Sequence, residues 1–323
     1  MIKNNIKNKT ILITGGTGFL GKDLAKKLSK KNKIILGSRN NFLSQIAYEE
    51  TKCETTPLDV SKIESVRDSV TKYKPDIIIH AAATKYVDLA EKNPNECIDI
   101  NIIGSQNISR VSMEQNIKVV VGISTDKSAP PFNNIYGLSK SLMERLFVNL
   151  AQSSKTKFIC VRFGNIAWST NSVFPIWDQM MKKNGVILST GPDMKRFFFS
   201  VNEASELVIT SLENSSKLNG KILSKKMKCA KISNILDIWC EMYNCKWKKI
   251  KSRKGDKFDE HLIGQGEILN TYEFYYNKKQ YLVIDHYKNQ KKSIIKEYST
   301  LNAPKLNKNE IIKLIKNRPE NLF

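Results

Sequence analysis

Two short stretches near the middle of the chain carry four side chains that can exchange protons. Asp126 and Lys127 are adjacent, and Tyr136 and Lys140 form a Tyr-x-x-x-Lys pair shortly afterwards. Residues four apart on a helix share one face, so we expect Lys140 to lie beneath Tyr136. A neighbouring ammonium favours the phenolate, which allows a tyrosine to act as a base near neutral pH. The spacing predicts proton-transfer chemistry, although such pairs also occur on solvated helix faces.

A glycine-rich loop near the N-terminus predicts a nucleotide site in the same chain as the Tyr-x-x-x-Lys pair. The strand-like run Ile11–Ile13 leads into a loop with glycines at 15, 18 and 21, and a helical pattern follows. These glycines permit a tight turn, close approach of a pyrophosphate and close packing of the helix on the strand. The free amides at the start of the helix then face phosphate oxygens. We predict a dinucleotide here, bound by Gly15, Thr17, Gly18, Phe19 and Leu20.

The residues after the second predicted strand indicate which dinucleotide fits. An acidic residue at this point would bind the ribose 2′-hydroxyl of NAD, but the chain has Ser38 and Arg39 instead. A guanidinium can fork onto a 2′-phosphate and stack on adenine, so NADP is predicted in preference to NAD. Asp59, followed by Val60, can accept a hydrogen bond from the adenine amine. A surface arginine without a ligand is the alternative for Arg39.

Small side chains follow the next buried strand. Ala81, Ala82 and Ala83 come directly after His80 and leave room for a cofactor that lies across the strand ends. Asn101 opens the following helical region and is expected to hold the tyrosine helix in position, with a plain helix cap as the alternative. The predicted cofactor contacts on this side are therefore Ala81, Ala82, Ala83, Asn101, Tyr136 and Lys140.

The pattern of apolar runs predicts the fold class. Val- and Ile-rich strands separated by amphipathic helices indicate a parallel sheet with right-handed crossovers. After about residue 165 this alternation loosens. We predict an α/β fold: a Rossmann doubly wound parallel sheet over 1–165, to which 197–215 returns, with a smaller, intertwined C-terminal substrate lobe over 166–323. The predicted strands are Thr10–Thr14, Lys33–Leu36, Asp76–His80, Val119–Ile123 and Lys157–Arg162.

Composition narrows the class of protein and its partners. Of the 323 residues, 41% are apolar, which is typical of a globular enzyme. The net charge of +22 comes from scattered lysines without a basic stripe, so no nucleic-acid partner is expected. No apolar run reaches the roughly 20 residues that cross a bilayer and no secretion signal is present, so we predict no stable membrane insertion and a cytoplasmic location. The six cysteines and three histidines lack metal-ligand spacing, so no metal site is predicted.

Together these motifs resemble the extended short-chain dehydrogenase/reductase family. Within it they look like the inverting UDP-N-acetylglucosamine 4,6-dehydratases (5-epimerases), which are related to polysaccharide-biosynthesis proteins. The Thr-Asp-Lys signature at 125–127 separates this branch from non-inverting dehydratases, which look like Thr-Asp-Glu there, and from simple 4-epimerases. The chain departs from the family pattern at Ala167 and Trp168, where a glycine-containing turn is usual, and at Asp259, where a histidine is more typical. Other matching motifs lie at 38–39, 80–87, 93–104, 136–140, 161–165, 172–175, 196–197 and 255–257.

The resemblance implies a nucleotide-sugar 4,6-dehydratase that forms a 4-keto-6-deoxy sugar nucleotide for glycan biosynthesis. Tyr136 would accept the 4-hydroxyl proton, and Lys140 would lower the pKa of the tyrosine and hold the nicotinamide ribose. Lys127 would remove the C5 proton and return one on the opposite face, while Asp126 protonates the departing 6-hydroxyl. Thr125 would position the 4-hydroxyl and the tyrosine. The hydride would leave C4 and return to C6, so NADP would be regenerated within each turnover.

The resemblance also implies the substrate and the state of assembly. UDP-N-acetylglucosamine is the favoured substrate, and Arg196 and Arg253 are expected at its diphosphate because guanidinium groups match phosphate oxygens. A homo-oligomer is expected through the helices near 101–116 and 136–153. Its apolar contacts would include Leu142, Leu146 and Phe147, unless these residues face the sheet. The remaining predicted substrate-binding residues are Lys85, Asn165, Val173 and Lys257.

Other functions stay open at this point. A nucleotide-sugar 4-epimerase or a retaining dehydratase, acting on a UDP-, GDP- or dTDP-linked sugar, would use the same fold. A non-catalytic NADP-binding sensor would need only the cofactor site. The proton-transfer set argues against a sensor, because a binding module has no use for it.

Overall fold

The structure is a computed structural model that describes residues 6–251 and 255–319. The first half alternates strands and helices, with a π-helical turn (Ile98–Ile103) before the sixth helix and a 3₁₀ turn (Asp126–Ser128) before the seventh. The strands are β1 (Thr10–Thr14), β2 (Lys33–Ser38), β3 (Glu54–Pro57), β4 (Ile77–His80), β5 (Val119–Ile123) and β6 (Lys157–Val161). The helices are α1 (Phe19–Leu28), α2 (Asn41–Thr51), α3 (Ile63–Tyr73), α4 (Val87–Lys92), α5 (Pro94–Cys97), α6 (Gly104–Glu114) and α7 (Ile135–Leu150).

These six strands form a parallel sheet in the order β3-β2-β1-β4-β5-β6. In the registered pairs, Ile13 lies between Leu36 of β2 and Ile79 of β4. Alternate side chains of a strand point to opposite faces. Ile11 and Ile13 therefore join the apolar cluster that contains α1, while Leu12 joins the cluster that contains α3, α6 and α7. Burial on both faces explains the continuous apolar runs, and the predicted parallel α/β fold is confirmed.

The second half of the chain is built from shorter elements, including a 3₁₀ turn (Gln265–Asn270). Its helices are α8 (Val173–Asn184), α9 (Val201–Glu213), α10 (Ser215–Leu218), α11 (Ile232–Tyr243) and α12 (Lys308–Lys316). Its strands are β7 (Asn165–Ile166), β8 (Val186–Ser189), β9 (Lys195–Phe199), β10 (Lys221–Ser224), β11 (Cys229–Lys231), β12 (Lys246–Lys249), β13 (His261–Ile263), β14 (Thr271–Tyr276), β15 (Lys279–Ile284) and β16 (Tyr298–Ser299).

Three of these later strands extend the parallel sheet to nine strands, in the order β14-β15-β10-β6-β5-β4-β1-β2-β3. Strand β10 pairs with β6 in parallel, and the hairpin of β14 and β15 adds to β10 in antiparallel orientation. Helix α9 packs on the same sheet, where Leu207 and Val208 share a cluster with Ile159. The sequence analysis expected 197–215 at the sheet but assigned 221–284 to the substrate lobe. The proposed division into domains stays a prediction.

An aromatic cluster fills the core of the elements outside the sheet. Neighbouring rings in the set Trp168, Phe174, Trp177, Phe198 and Trp239 have centroids 5.4–5.9 Å apart. The indole N–H of Trp168 donates a 2.8 Å hydrogen bond to a carbonyl oxygen of α12. This tryptophan, a departure from the family pattern, therefore attaches the last helix to the lobe.

Helix α7 has one buried and one exposed apolar face. Phe147 is completely buried beneath the sheet, so it cannot contact another copy of the chain, and Leu146 packs against the same core. Leu138 and Leu142 are about half exposed, at 50% and 49%. The homo-oligomer stays a prediction. In the described part of the chain, no helix combines the length and the apolar character that crossing a bilayer requires.

Candidate active site

A cleft of about 980 Å³ follows the carboxyl ends of the parallel strands and extends to the elements of the second half. Ligands of open α/β sheets bind at this edge. Asp59, Asn101, Asp126 and Lys257 do not line the cleft, and Arg253 lies outside the described residues. The predicted site residues that line it are Gly15, Thr17, Gly18, Phe19, Leu20, Ser38, Arg39, Val60, Ala81, Ala82, Ala83, Lys85, Thr125, Lys127, Tyr136, Lys140, Asn165, Val173 and Arg196.

The turn between β1 and α1 has the shape of a phosphate-binding loop. Gly15 has a φ of 65°, and a Cβ at this position would lie 2.8 Å from backbone atoms of Ala82, so the turn requires glycine. The hydroxyl of Thr17 donates to Ser38 Oγ at 3.0 Å and connects the loop to the end of β2. With the free amides at the start of α1, the missing Cβ leaves a cradle that fits a pyrophosphate.

His80 is fully buried and supports this loop through Thr14, the residue before Gly15. Its Nδ1 lies 2.8 Å from Thr14 Oγ1 and its Nε2 lies 3.1 Å from Ser105 Oγ. Thr14 Oγ1 in turn accepts from the backbone N–H of Ala82 at 3.2 Å, which fixes one wall of the cleft. Burial, together with the charge of Lys140, lowers the pKa of His80 to about 3. The ring is therefore neutral at physiological pH and serves as a structural link.

The end of β2 carries Arg39, which is exposed beside the cleft. Asp59 lies nearby and accepts hydrogen bonds from the backbone N–H of Ser61 at 3.1 Å and from its hydroxyl at 2.7 Å. Although burial alone raises the pKa of Asp59, these bonds and the charge of Arg39 lower it, so the carboxylate is ionised. Because Asp59 does not line the cleft, its contact with adenine stays a prediction.

Asn101 lies in the π-helical turn and is completely buried. Its Nδ2 donates to the carbonyl oxygen of Thr84 at 3.0 Å and to Ser139 Oγ at 2.9 Å, and its Oδ1 accepts from the Thr84 N–H at 2.8 Å. π-Helical turns occur frequently at functional sites. Asn101 connects the loop after β4 to the first turns of α7, and this supports the positioning part of its predicted role.

The end of β5 and the start of α7 bring four predicted catalytic residues together. Lys127 Nζ lies 3.0 Å from Asp126 Oδ1, and the hydroxyl of Thr125 donates to the same oxygen at 3.0 Å. Thr125 also favours the phenolate of Tyr136, because it lowers the pKa of that residue. Asp126 is completely buried, and its Oδ2 has no hydrogen-bond partner among the described residues. Gly137 permits this arrangement, because a Cβ there would overlap the Lys127 carbonyl oxygen.

The charge that acts on Tyr136 differs from the sequence-based expectation. Burial raises the pKa of Tyr136 to about 12, while the charge of Lys127 and the hydrogen bond with Thr125 act in the opposite direction. Lys140 lies on the buried face of α7 and donates to Met143 Sδ at 3.2 Å. Burial lowers its pKa to about 8. Lys127 therefore exerts on the tyrosine the effect that the sequence analysis assigned to Lys140. A shared helix face does not ensure that two polar atoms meet.

Glu260 is a member of the site that the sequence analysis missed. Its Oε1 lies 3.3 Å from Lys127 Nζ and 3.7 Å from Arg196 Nε. Although burial by itself lowers the pKa of Lys127, the carboxylates of Asp126 and Glu260 raise it above its usual value. Lys257 is buried close by, where it donates to a backbone carbonyl oxygen, and burial lowers its pKa despite the opposing charge of Glu260.

Arg196 lines the cleft, but its guanidinium already has protein partners. Nη1 donates to the carbonyl oxygens of Lys195 at 2.8 Å and Phe258 at 3.4 Å, and Nη2 contacts Met194 Sδ at 3.1 Å. A diphosphate at Arg196 would have to share these donors. Its predicted companion Arg253 lies outside the described residues.

The opposite wall of the cleft carries further predicted substrate residues. Lys85 is exposed and donates to the carbonyl oxygen of Thr170 at 2.7 Å, which links the loop after β4 to the segment after β7. Among the described residues that line the cleft, most charged side chains are basic, which favours an anionic ligand. The basic residues are Lys22, Arg39, Lys85, Lys127, Lys140 and Arg196, and the acidic ones are Asp88 and Asp256.

A buried ion network supports the turn that carries Asp126 and Lys127. Arg162 is 1% exposed and donates to Glu144 at 3.0 and 2.7 Å and to Glu267 at 2.8 and 2.9 Å. Ser128 Oγ lies 2.8 Å from Glu144 Oε1. Because Ser128 ends the 3₁₀ turn, the network connects this turn to β6, α7 and the segment before β14.

Comparison with known proteins identifies the family. A family model described as "Polysaccharide biosynthesis protein" matches residues 11–285. The chain belongs to this family. Over 277 residues it is 36% identical to the UDP-N-acetylglucosamine 4,6-dehydratase (inverting) of Campylobacter jejuni, a match that covers 82% of this chain and 80% of the relative.

Two further similarities extend over nearly the whole chain. It is 30% identical over 335 residues to the UDP-glucose 4-epimerase of Rickettsia bellii, with 96% of each chain covered. Its fold is similar to the X-ray structure of Pen from Bacillus thuringiensis, with a TM-score of 0.89, 28% identity and 99% of each chain covered. The protein is thus an enzyme of the nucleotide-sugar dehydratase and epimerase family.

Proposed function

We propose that the protein is a UDP-N-acetylglucosamine 4,6-dehydratase that inverts C5 and uses NADP. The observation that carries this proposal is the 3.0 Å contact between Lys127 and Asp126 beside Tyr136. A base and an acid in contact can remove the C5 proton and protonate the leaving 6-hydroxyl, a pair of transfers that a 4-epimerase does not need. The identity to the Campylobacter jejuni enzyme supports the same reaction.

NADP is the proposed cofactor because the chain offers groups that suit each part of it. The Gly15 cradle fits a pyrophosphate, and Arg39 offers a guanidinium to the 2′-phosphate. Lys140 is proposed to hold the nicotinamide ribose. When bound, the cofactor accepts a hydride from sugar C4 and returns it to C6. The other proposed contacts are Thr17, Gly18, Phe19, Leu20, Ser38, Asp59, Val60, Ala81, Ala82, Ala83, Asn101 and Tyr136.

The proposed chemistry begins with two proton transfers. Because burial raises the pKa of Tyr136 to about 12, the residue must first become a phenolate, and in that form it takes the proton of the 4-hydroxyl as C4 is oxidised. Lys127 is an ammonium beside two carboxylates, so it must lose a proton before it can act as a base. Transfer of that proton to Asp126 across their 3.0 Å contact creates a neutral amine and a carboxylic acid together. Lys127 then removes the C5 proton, which the 4-ketone has made acidic, and Asp126 protonates the departing 6-hydroxyl.

The proton balance of this cycle gives Thr125 a role. Counted from the state with Tyr136 as a phenolate and Lys127 as an ammonium, Lys127 gives one proton to Asp126, gains one from C5 and returns one to C5, so it finishes with one proton fewer. Asp126 gains one proton from Lys127 and gives one to the 6-hydroxyl, so it finishes unchanged, and Tyr136 finishes with one proton more. The hydroxyl of Thr125 lowers the pKa of Tyr136 and donates to Asp126, which contacts Lys127, so these groups offer a path by which the proton returns from Tyr136 to Lys127.

The proposed substrate side lies beyond the catalytic set. The residues suited to hold the nucleotide sugar are Lys85, Asn165, Val173, Arg196, Arg253 and Lys257. Because Arg196 is engaged by protein carbonyls, we propose that Arg253 contributes more of the diphosphate binding. An Arg253→Ala variant should then raise KM for the nucleotide sugar far more than it lowers kcat.

One incubation distinguishes the proposed reaction from its alternatives. The purified protein is mixed with UDP-N-acetylglucosamine and NADP in deuterated buffer and followed by NMR. A 4-keto-6-deoxy product with deuterium at an inverted C5 is expected, and Lys127→Ala should bind NADP but lose the C5 exchange. A retaining dehydratase would give the same ketone without inversion.

The similarity to the Rickettsia bellii protein makes 4-epimerisation the second candidate. An epimerase would give UDP-N-acetylgalactosamine with its 6-hydroxyl intact in the same incubation. Absence of turnover with UDP-, GDP- and dTDP-linked sugars would reject both enzymes.

A further inference from the structure

Glu260 is placed in the site by a rigid part of the backbone. It precedes β13 and is 1% exposed. Its N–H donates to Thr300 Oγ1 at 3.1 Å, and its carbonyl oxygen accepts from the N–H of Thr300 at 2.9 Å. Contacts at both the N–H and the carbonyl oxygen of the same residue leave little freedom for the Cα–Cβ direction. The side chain of Glu260 therefore leaves the backbone in a fixed direction, into the protein interior.

The carboxylate of Glu260 contacts the ammonium of Lys127. Glu260 Oε1 lies 3.3 Å from Lys127 Nζ, and Asp126 Oδ1 lies 3.0 Å from the same nitrogen. The outer oxygens, Glu260 Oε2 and Asp126 Oδ2, are buried and have no hydrogen-bond partner among the described residues. A buried carboxylate oxygen without a donor costs free energy, so a simple surface ion pair does not explain this arrangement.

Glu260 is one of the two carboxylates that face the cations around Lys127. Five titratable groups face its ammonium: Asp126 from the same turn, Tyr136 from α7, Arg196 from β9, and Lys257 and Glu260 from the segment before β13. Three cations thus share two carboxylates. If Glu260 is removed, Lys127, Arg196 and Lys257 keep only Asp126, and the repulsion among them favours a neutral Lys127.

We propose that Glu260 is a positioning residue for Lys127, holding its amine against Asp126 and stabilising the ammonium that forms when Lys127 takes a proton from the substrate. This inference rests on the proposed dehydratase function. The carboxylate contacts Lys127 rather than the reacting sugar, so it acts through the lysine. It makes Lys127 a stronger base at the moment of C5 deprotonation, and it plays no part in the earlier oxidation at C4.

The experiment compares Glu260→Gln with a neighbouring carboxylate variant. Asp259→Asn is the matched control, because Asp259 pairs with Lys195 at 3.2 Å and does not contact Lys127. The asparagine oxygen can still accept the 2.9 Å hydrogen bond from Thr300 Oγ1, so the contact that positions Glu260 is kept. Glu260→Asp keeps the charge and serves as the conservative rescue. Thermal unfolding of each variant establishes that it is folded before any comparison.

The first readout needs no substrate. In ¹⁵N-lysine-labelled protein, the Nζ signal of Lys127 is assigned through Lys127→Arg and titrated. In Glu260→Gln the titration midpoint should move to lower pH, corresponding to about a tenfold or larger change in the proton affinity of Lys127. In Asp259→Asn it should not move. An unmoved midpoint in folded Glu260→Gln overturns the inference, whatever the enzyme's substrate proves to be.

The second readout divides the catalytic cycle. With UDP-N-acetylglucosamine, Glu260→Gln should slow deuterium exchange at C5 by about tenfold or more, while the rise of 340 nm absorbance in the first turnover keeps its rate. Glu260→Asp should recover part of the exchange. Equal slowing of both steps would identify a merely structural role and refute the proposal. If the wild-type protein releases no water from this sugar, the proposed function fails, and the NMR titration still decides the role of Glu260.

Discussion

The buried network around Arg162 gives the sharpest prediction of stability. Replacing Arg162 by methionine keeps a long side chain but removes the four hydrogen bonds of 2.7–3.0 Å that Glu144 and Glu267 accept from the guanidinium. Glu144 keeps only the Ser128 hydroxyl as a donor, and Glu267 keeps only the Gly264 N–H. Both carboxylates are nearly inaccessible, at 1% and 4% exposure. The variant therefore contains two buried charges without their counterion.

The magnitude follows from that geometry. Removing one partner of a buried ion pair typically costs about 3–5 kcal/mol, because the remaining charge is desolvated and unpaired. Here two carboxylates lose the same partner, so we expect a loss near the upper end, about 5 kcal/mol, at pH 7.5. Total stabilities of domains are about 5–15 kcal/mol, so Arg162→Met should be close to unfolding at 37 °C.

The pH dependence distinguishes this cause from a simple packing defect. In the wild-type protein burial raises the pKa of Glu267, but Arg162 outweighs it and lowers the pKa. In Arg162→Met the strongest influence that lowers this pKa is gone, and burial is opposed only by the Gly264 N–H and the charge of His286, so we expect the folded variant to bind a proton more readily than the unfolded chain. Its deficit relative to the wild type should therefore shrink as the pH falls from 7.5 to 5.

The assay is equilibrium urea unfolding, followed by circular dichroism and tryptophan fluorescence at several pH values. Arg67→Met is the matched control, because Arg67 also pairs with two glutamates, Glu64 and Glu114, but at the surface. Exposed pairs contribute little, so the control should unfold nearly like the wild type. A deficit for Arg162→Met that is below about 1 kcal/mol, or that is independent of pH, would refute the reasoning.

Three further predictions concern the cofactor site and the turn at Lys127. In a fluorescence titration, Arg39→Asp should weaken NADP binding by about tenfold to a hundredfold, the equivalent of one charge-assisted contact, and should not weaken NAD binding, because the new carboxylate can accept from the ribose 2′-hydroxyl. Equal NADP affinity would contradict the assignment. Gly137→Ala should push α7 away from the Lys127 carbonyl, so turnover should fall strongly while the Kd for NADP changes little, and an active variant would contradict that contact. The pKa of His80 is lowered to about 3 in the folded state, against about 6.5 when unfolded, so the unfolded chain binds more protons between these values. The free energy of unfolding should therefore fall by about 1.4 kcal/mol per pH unit below pH 6.5, a slope that His80→Gln should lack in urea unfolding.

Five of the first six strands of the central sheet could be predicted because they are local and strongly apolar. The edge strand β3 was not predicted, because its sequence Glu-Thr-Thr-Pro contains no apolar run. Thr10–Thr14 and Val119–Ile123 match β1 and β5 at both ends, and the other predicted strands differ at their ends by one or two residues. Strands β10, β14 and β15 were assigned to the other lobe. They are short and follow a region where the regular alternation stops, so only their long-range pairing with β6 and with each other defines their place.

The site was predictable where one motif contains the interacting residues, as in Thr125, Asp126 and Lys127. Contacts between distant motifs were harder to foresee. Helical spacing related Lys140 to Tyr136, but it did not show that the lysine side chain ends at Met143 in the interior. Glu260 follows Lys257 by three residues in a matching motif, and nothing in its sequence context revealed that it is buried against Lys127.

The strand order of the large sheet has a consequence for biosynthesis. As the chain leaves the ribosome, the first six strands are complete by residue 161, but the free edge of β6 stays unpaired until β10 is made. The edge of β10 then stays unpaired until β15 is made, which takes at least another 55 residues of chain (224 to 279). An open apolar sheet edge is a template for aggregation. We therefore expect the first half of the chain to depend on the last third of the chain for solubility. A fragment that ends near residue 165 should precipitate rather than fold as a separate unit.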